Sequence, residues 1–88
     1  MTTKQWTIEV ALDEQGDETF ADAILSFDER EIKAHGQSRR NPSDESVPRI
    51  GDELATARAL SELAHQLLAT AASDIEARTH TPVGSLQI

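Results

Sequence analysis

Ile50-Gly51-Asp52-Glu53-Leu54-Ala55-Thr56-Ala57-Arg58-Ala59-Leu60-Ser61-Glu62-Leu63-Ala64 decides the fold, because it opens the one long run of strong helix formers in a chain that otherwise alternates like strands and turns. Leu54, Ala57, Leu60, Ala64, Leu67, Leu68 and Ala71 recur at helical spacing and predict one apolar stripe on a helix from about Gly51 to Ala72. Asp52 and Glu53 fall in its expected first turn, where carboxylates complement the helix dipole. Ser73-Asp74-Ile75-Glu76 has the form of a capping box and predicts that the helix breaks and restarts there. Pro82 ends anything helical.

Upstream of this segment the period changes from that of a helix to two. Trp6, Ile8, Val10 and Leu12 alternate with Thr7, Glu9 and Ala11, the pattern of a half-buried strand. The polar stretch from Asp13 to Glu18, with Gly16 free to take a positive φ, reads as a hairpin connection. A second strand runs from about Thr19 to Phe27. Ala21, Ala23, Leu25 and Phe27 are taken as its core face, because the other face carries Asp22 and Ser26. That choice leaves Phe20 and Ile24 outward, as an apolar pair on the far face.

A turn at Asp28-Glu29-Arg30 leads to a third strand with Ile32, Ala34, Gly36 and Ser38 inward and Lys33, His35, Gln37 and Arg39 outward. The small residues lining strands two and three permit a close approach by one helix. Asn41-Pro42 and Val47-Pro48 bracket a loop. The expected fold class is therefore α+β: a three-stranded antiparallel β-meander followed by one long C-terminal helix, in a single domain over residues 1–88, with 80–88 an extended tail.

Composition narrows the function. Sixteen acidic against eight basic residues give a formal charge of −8 over 88 residues. That charge disfavours free nucleic acid and anionic lipid at long range. There is no cysteine, so neither a disulfide framework nor a thiolate zinc site is available. No apolar run approaches the roughly 20 residues that span a bilayer, and no signal peptide is visible, so a soluble cytoplasmic protein with no membrane association is expected. So small a chain has a marginal core as a monomer, which favours pairing with a copy of itself.

The segments Ile50-Gly51-Asp52-Glu53-Leu54-Ala55, Ala57-Arg58-Ala59-Leu60-Ser61, Ser73-Asp74-Ile75-Glu76-Ala77 and Thr79-His80-Thr81-Pro82-Val83 resemble a family of short actinobacterial proteins classed by fold as similar to double-stranded-RNA-binding domains. The Trp6-Thr7-Ile8 opening and the Asn41-Pro42 loop match it as well. The resemblance implies a three-stranded sheet with a long helix, and dimerisation through the sheet or the C-terminal region. Some members are linked to dormancy or low oxygen, and a similarity of fold to ribosome hibernation factors implies a role in stalling translation. The family brings no catalytic residues to carry over.

Departures from the RNA-binding relatives are instructive. True double-stranded-RNA-binding domains begin with a helix, and strand one here starts too early to leave room for it. They also place lysines at the start of the last helix, where this chain has Gly51-Asp52-Glu53. Carboxylates there repel a phosphate backbone, so the resemblance concerns shape, and shape alone does not assign function.

Lys33, His35, Arg39 and Arg40 form a candidate contact for a ribosome, RNA or protein partner. The plainer reading is a mixed solvated surface, since Glu29, Glu31, Asp44 and Glu45 lie in the same stretch, and basic residues on an edge strand also deter unwanted pairing. Phe20, Ile24, Leu86 and Ile88 are the candidate homodimer contacts, on the argument that an apolar pair on an open sheet face needs a cover. His35, His65 and His80 lack metal-ligand spacing, so no metal and no cofactor are expected. Asp74, Glu76 and His80 are explained by helix capping and lack a nucleophile and a pocket, so no enzyme is expected.

Overall fold

A computed structural model describes residues 1–84 and Leu86. Three strands, β1 (Ile8–Gln15), β2 (Glu18–Phe27) and β3 (Arg30–Arg39), precede one helix, α1 (Pro48–Thr79). The sheet is an antiparallel meander in the order β1-β2-β3, as the alternation predicts. Two-residue turns join the strands. Gly16 supplies a positive φ of 61° in the first. Asp28 and Glu29 both adopt left-handed φ in the second, at 48° and 63°. Two successive left-handed residues match the right-handed twist of a hairpin, here without the customary glycine.

The phases predicted for β2 and β3 hold. Ala21, Ala23 and Leu25 on β2 and Ala34 on β3 are buried against the helix, with Thr19 and Ser38 extending the same face. Register pairs Val10 with Ala23, and Ala23 with Ala34, so one face carries the whole core.

The helix departs from expectation at both ends and in phase. It begins at Pro48, whose fixed φ suits the first helical position, rather than near Gly51. Asp52 and Glu53 consequently lie beyond the first turn. It runs unbroken through Ser73-Asp74-Ile75-Glu76, where Asp74 is engaged instead by Arg30: the guanidinium donates hydrogen bonds of 2.9 and 3.2 Å to its carboxylate. That hydrogen bond, and then the carboxylate's charge, raise the Arg30 pKa above its ordinary value. His80, with φ 56°, closes the helix in a left-handed conformation, its N–H donating to the Glu76 carbonyl at 2.8 Å.

The buried helical residues are Ala55, Ala59 and Leu63, an i+4 row continued by the partly buried Leu67. Leu54 and Leu60, expected in the stripe, are exposed. The reason lies in the sheet. A Cβ built on Gly36 would fall 3.0 Å from the Ala59 Cα, and well inside contact with the Ala55 carbonyl oxygen and the Ala59 nitrogen. At that approach the helix positions facing Gly36 hold alanine, and Leu54 and Leu60 turn aside. Leu60→Ala is accordingly expected to change stability by less than about 1 kcal/mol, as for an exposed position; urea unfolding measures it, and a loss of several kcal/mol would contradict this helix phase.

Candidate interaction surface

The helix lies chiefly over β3 and β2 and makes little contact with β1. Strands lie about 4.8 Å apart and a helix is about 10 Å across, so one helix roofs two strands and leaves the third bare. Ile8, Val10 and Leu12 share the helix-side face, paired with Leu25, Ala23 and Ala21. Val10 is half-buried, while Ile8 and Leu12 remain 42% and 47% exposed. Trp6 continues the strip, stacked on Phe27 at 4.3 Å between ring centroids. At about 100° per residue Leu60 falls on the flank of α1 opposite Arg58, which reaches the β3 edge.

The two sheet edges differ. Along β3, the Glu62 carboxylate accepts from the His35 backbone N–H at 3.1 Å, and the Arg58 guanidinium donates to the Gln37 carbonyl at 2.7 Å. Helical side chains thus occupy outward backbone groups of that edge, a common way of closing an edge strand. Among the described residues no side chain hydrogen-bonds a backbone group of β1.

The open sheet face is graded in charge across its columns. Register sets Glu9 beside Ile24 and Lys33, Ala11 beside Asp22 and His35, and Asp13 beside Phe20 and Gln37. Acidic groups border β1, half-buried Phe20 and Ile24 lie along the middle, and basic groups border β3. The predicted basic residues do not form one unopposed patch. Lys33 sits 3.5 Å from Glu31, and His35 contacts the Asp22 carboxylate.

Arg40 belongs to a different structure. Its guanidinium donates to the Asp17 carboxylate at 2.5 Å and to the Asp44 carbonyl at 2.5 Å, and it approaches the Asn41 and Pro42 carbonyls at 3.4 Å. It therefore clamps the loop between β3 and α1 to the first hairpin. Arg39 points from the open face at the end of β3.

Leu86, in the tail, is 36% exposed; Ile88 lies outside the described residues. An exposed apolar strip runs along β1, which the sequence reading did not single out. Its signal was present, since Ile8 and Leu12 read as inward residues and a single helix cannot cover three strands.

An open cleft of about 230 Å³ lies between the β3–α1 loop and the start of the helix, lined in part by Asp17, Thr19, Arg40 and Leu54. Of its charged groups, Arg40 and Asp17 are paired with each other in the loop clamp. Among the described residues no three His, Asp or Glu side chains are grouped to hold a metal ion, and no helix is long and apolar enough to cross a membrane.

This is the architecture of a small α+β protein whose distinctive features are surfaces. The chain belongs to the Rv2632c-like family, whose sequence pattern matches residues 4–84. It is 51% identical to Rv2632c of Mycobacterium tuberculosis over 83 residues, covering 94% of this chain and 89% of that one. It is 46% identical to the Mycobacterium bovis protein Mb1767 over 79 residues, covering 90% and 84%. A crystal structure of Rv2632c superposes with a TM-score of 0.85 at 49% identity, covering 93% of this chain and 98% of that one.

Proposed function

We propose that this protein is a non-enzymatic cytoplasmic interaction protein that works as a homodimer, in the stress or dormancy setting that the family resemblance implies. The observation that carries the reading is the amount of surface left uncovered. The chain exposes 6794 Å², against about 5,100 Å² for a compact monomer of its mass. Its radius of gyration is 16.6 Å, against about 12 Å for a compact domain of this length. Exposed Ile8, Leu12 and Leu60 contribute apolar area to that excess, and apolar area is what a stable interface buries.

Light scattering on the purified chain is expected to give the mass of two chains at micromolar concentration. Each copy carries −8, so the dimer is expected to tighten as salt rises and screens the repulsion. A single-chain mass at all salts would defeat the reading.

The second reading, a ribosome- or RNA-associated factor of the hibernation type, draws support from Lys33, His35 and Arg39 on the open face. It makes the opposite salt prediction, since phosphate contacts weaken steeply with salt. Co-sedimentation with ribosomes that disappears at moderate salt and in Arg39→Glu would favour it.

A further inference from the structure

We infer that the two copies join edge to edge through β1, antiparallel about a twofold axis at Val10, into one continuous six-stranded sheet. This rests on the homodimer reading above and adds the surface and the register.

Three features of the chain converge on it. The first is the difference between the edges. Arg58 and Glu62 occupy outward carbonyl and N–H groups of β3, whereas alternate residues of β1 direct theirs away from β2, with no hydrogen bond to them from the described residues. An unoccupied edge is a template for another strand.

The second is the bare strip beside that edge. Ile8, Val10 and Leu12 lie on the helix side of the strand, and pairing brings two such strips together between the two helices. A twofold axis normal to the sheet keeps both helices on one side, so apolar face continues into apolar face. Two bare strands then form the floor of a single shallow trough walled by the helices.

The third is register, which charge, side-chain type and strand length together favour at one position: pairing about Ile8 opposes no carboxylates but sets Glu9 to Leu12 against residues that precede the strand. Pairing about Glu9 opposes that carboxylate to its own copy. Pairing about Ala11 opposes Glu9 to the partner's Asp13. Pairing about Leu12 sets Val10 against the partner's Glu14. Pairing about Val10 sets Ile8 against the partner's Leu12 on the helix side and Glu9 against the partner's Ala11 on the other, with no two carboxylates opposed. Directly opposed like charges destabilise a strand pair, and opposed β-branched and aliphatic residues stabilise it.

The same arrangement leaves the open faces of both sheets free. It sets the acidic Glu9 and Asp13 at the centre of the joined sheet and the Lys33, His35 and Arg39 rows at its two outer borders.

The chain contains no cysteine, so single-cysteine variants report the register without background. Residues directly opposed across an antiparallel pair have Cα atoms about 4.5–5.5 Å apart, within the range a disulfide spans. Val10→Cys in the full chain is expected to become almost entirely covalent dimer under mild oxidation, and Ile24→Cys to remain single-chain on a denaturing gel. Circular dichroism of each variant checks the fold, and Ala11→Cys, exposed and opposed to Glu9, serves as an off-register control expected to link at least tenfold more slowly than Val10→Cys.

Efficient linkage at Ile24→Cys would place the contact on the open face and overturn the inference. So would a folded Val10→Cys that stays unlinked while the wild type scatters as two chains, an outcome that leaves the homodimer reading intact. A wild type that scatters as one chain defeats both.

Discussion

Gly36→Ala is expected to destabilise the protein by about 3 kcal/mol or more, at or beyond the upper end for overpacking a core. The added methyl group would meet the backbone of Ala55 and Ala59, not the end of a side chain. A helix carbonyl and a helix nitrogen cannot rotate out of the way, so α1 must lift from β3 along its length. Lifting the helix opens the contacts of Ala34, Ala55 and Ala59 together, and these are three of the five alanines in the core cluster. For a domain of this size the midpoint of thermal unfolding is expected to fall by about 12–24 °C. Gly84→Ala is the matched control, since nothing lies within 4 Å of the Cβ it would add. Equal melting of the two variants would mean that the helix does not press on β3 as described.

The meander and the burial phase of β2 and β3 were legible because a period of two leaves only two choices, and Asp22 and Ser26 excluded one of them. Helix phase is a harder problem. Leu54, Leu60, Ala55, Ala59 and Leu63 all belong to a helix with apolar residues around much of its circumference. Ranking them by size puts Leu54 and Leu60 inside. The sheet reverses that ranking, because Ala21, Ala23, Ala34 and Gly36 bring the helix so near that only a row such as Gly51-Ala55-Ala59 fits over them. The small lining was readable from sequence, but its consequence for the facing helix depends on interaxial distance, which no local period encodes. The ends of the helix were obscured differently. Val47-Pro48 reads equally as a breaker and as a helix start, and Ser73-Asp74-Ile75-Glu76 reads as a cap until Arg30, 44 residues away in sequence, is seen to hold Asp74.

The same geometry explains why the candidate interaction surface was only partly legible. Phe20 and Ile24 drew attention as apolar residues on a face taken to be open, and the structure does place them there, half-buried between charged columns. Ile8 and Leu12 looked already accounted for, since they read as core. They are core-facing without being covered, a distinction that requires knowing which two of three strands the helix crosses. Arg40 likewise looked available from its neighbours in sequence, yet Asp17, across the hairpin, takes its guanidinium into the loop.

Leu63→Ala is expected to cost about 2–5 kcal/mol, the range for truncating a buried leucine. Leu25 and Leu63 are the largest fully buried side chains, and the other five members of the core cluster are alanines. Alanines have no rotamers with which to refill the space, so a cavity left by Leu63 can close only by moving the helix, which Gly36 already holds at backbone contact. The cost is therefore expected toward the upper part of the range, a large share of the total for a small domain. Urea unfolding over a series of protein concentrations measures it and separates the core term from any contribution of self-association. The decisive comparison is with Leu60→Ala, three residues away and chemically identical. A helix seated on Ala55, Ala59 and Leu63 makes the first substitution severe and the second mild. The reverse order would mean a helix turned by about 100° about its axis, with Leu60 in the core.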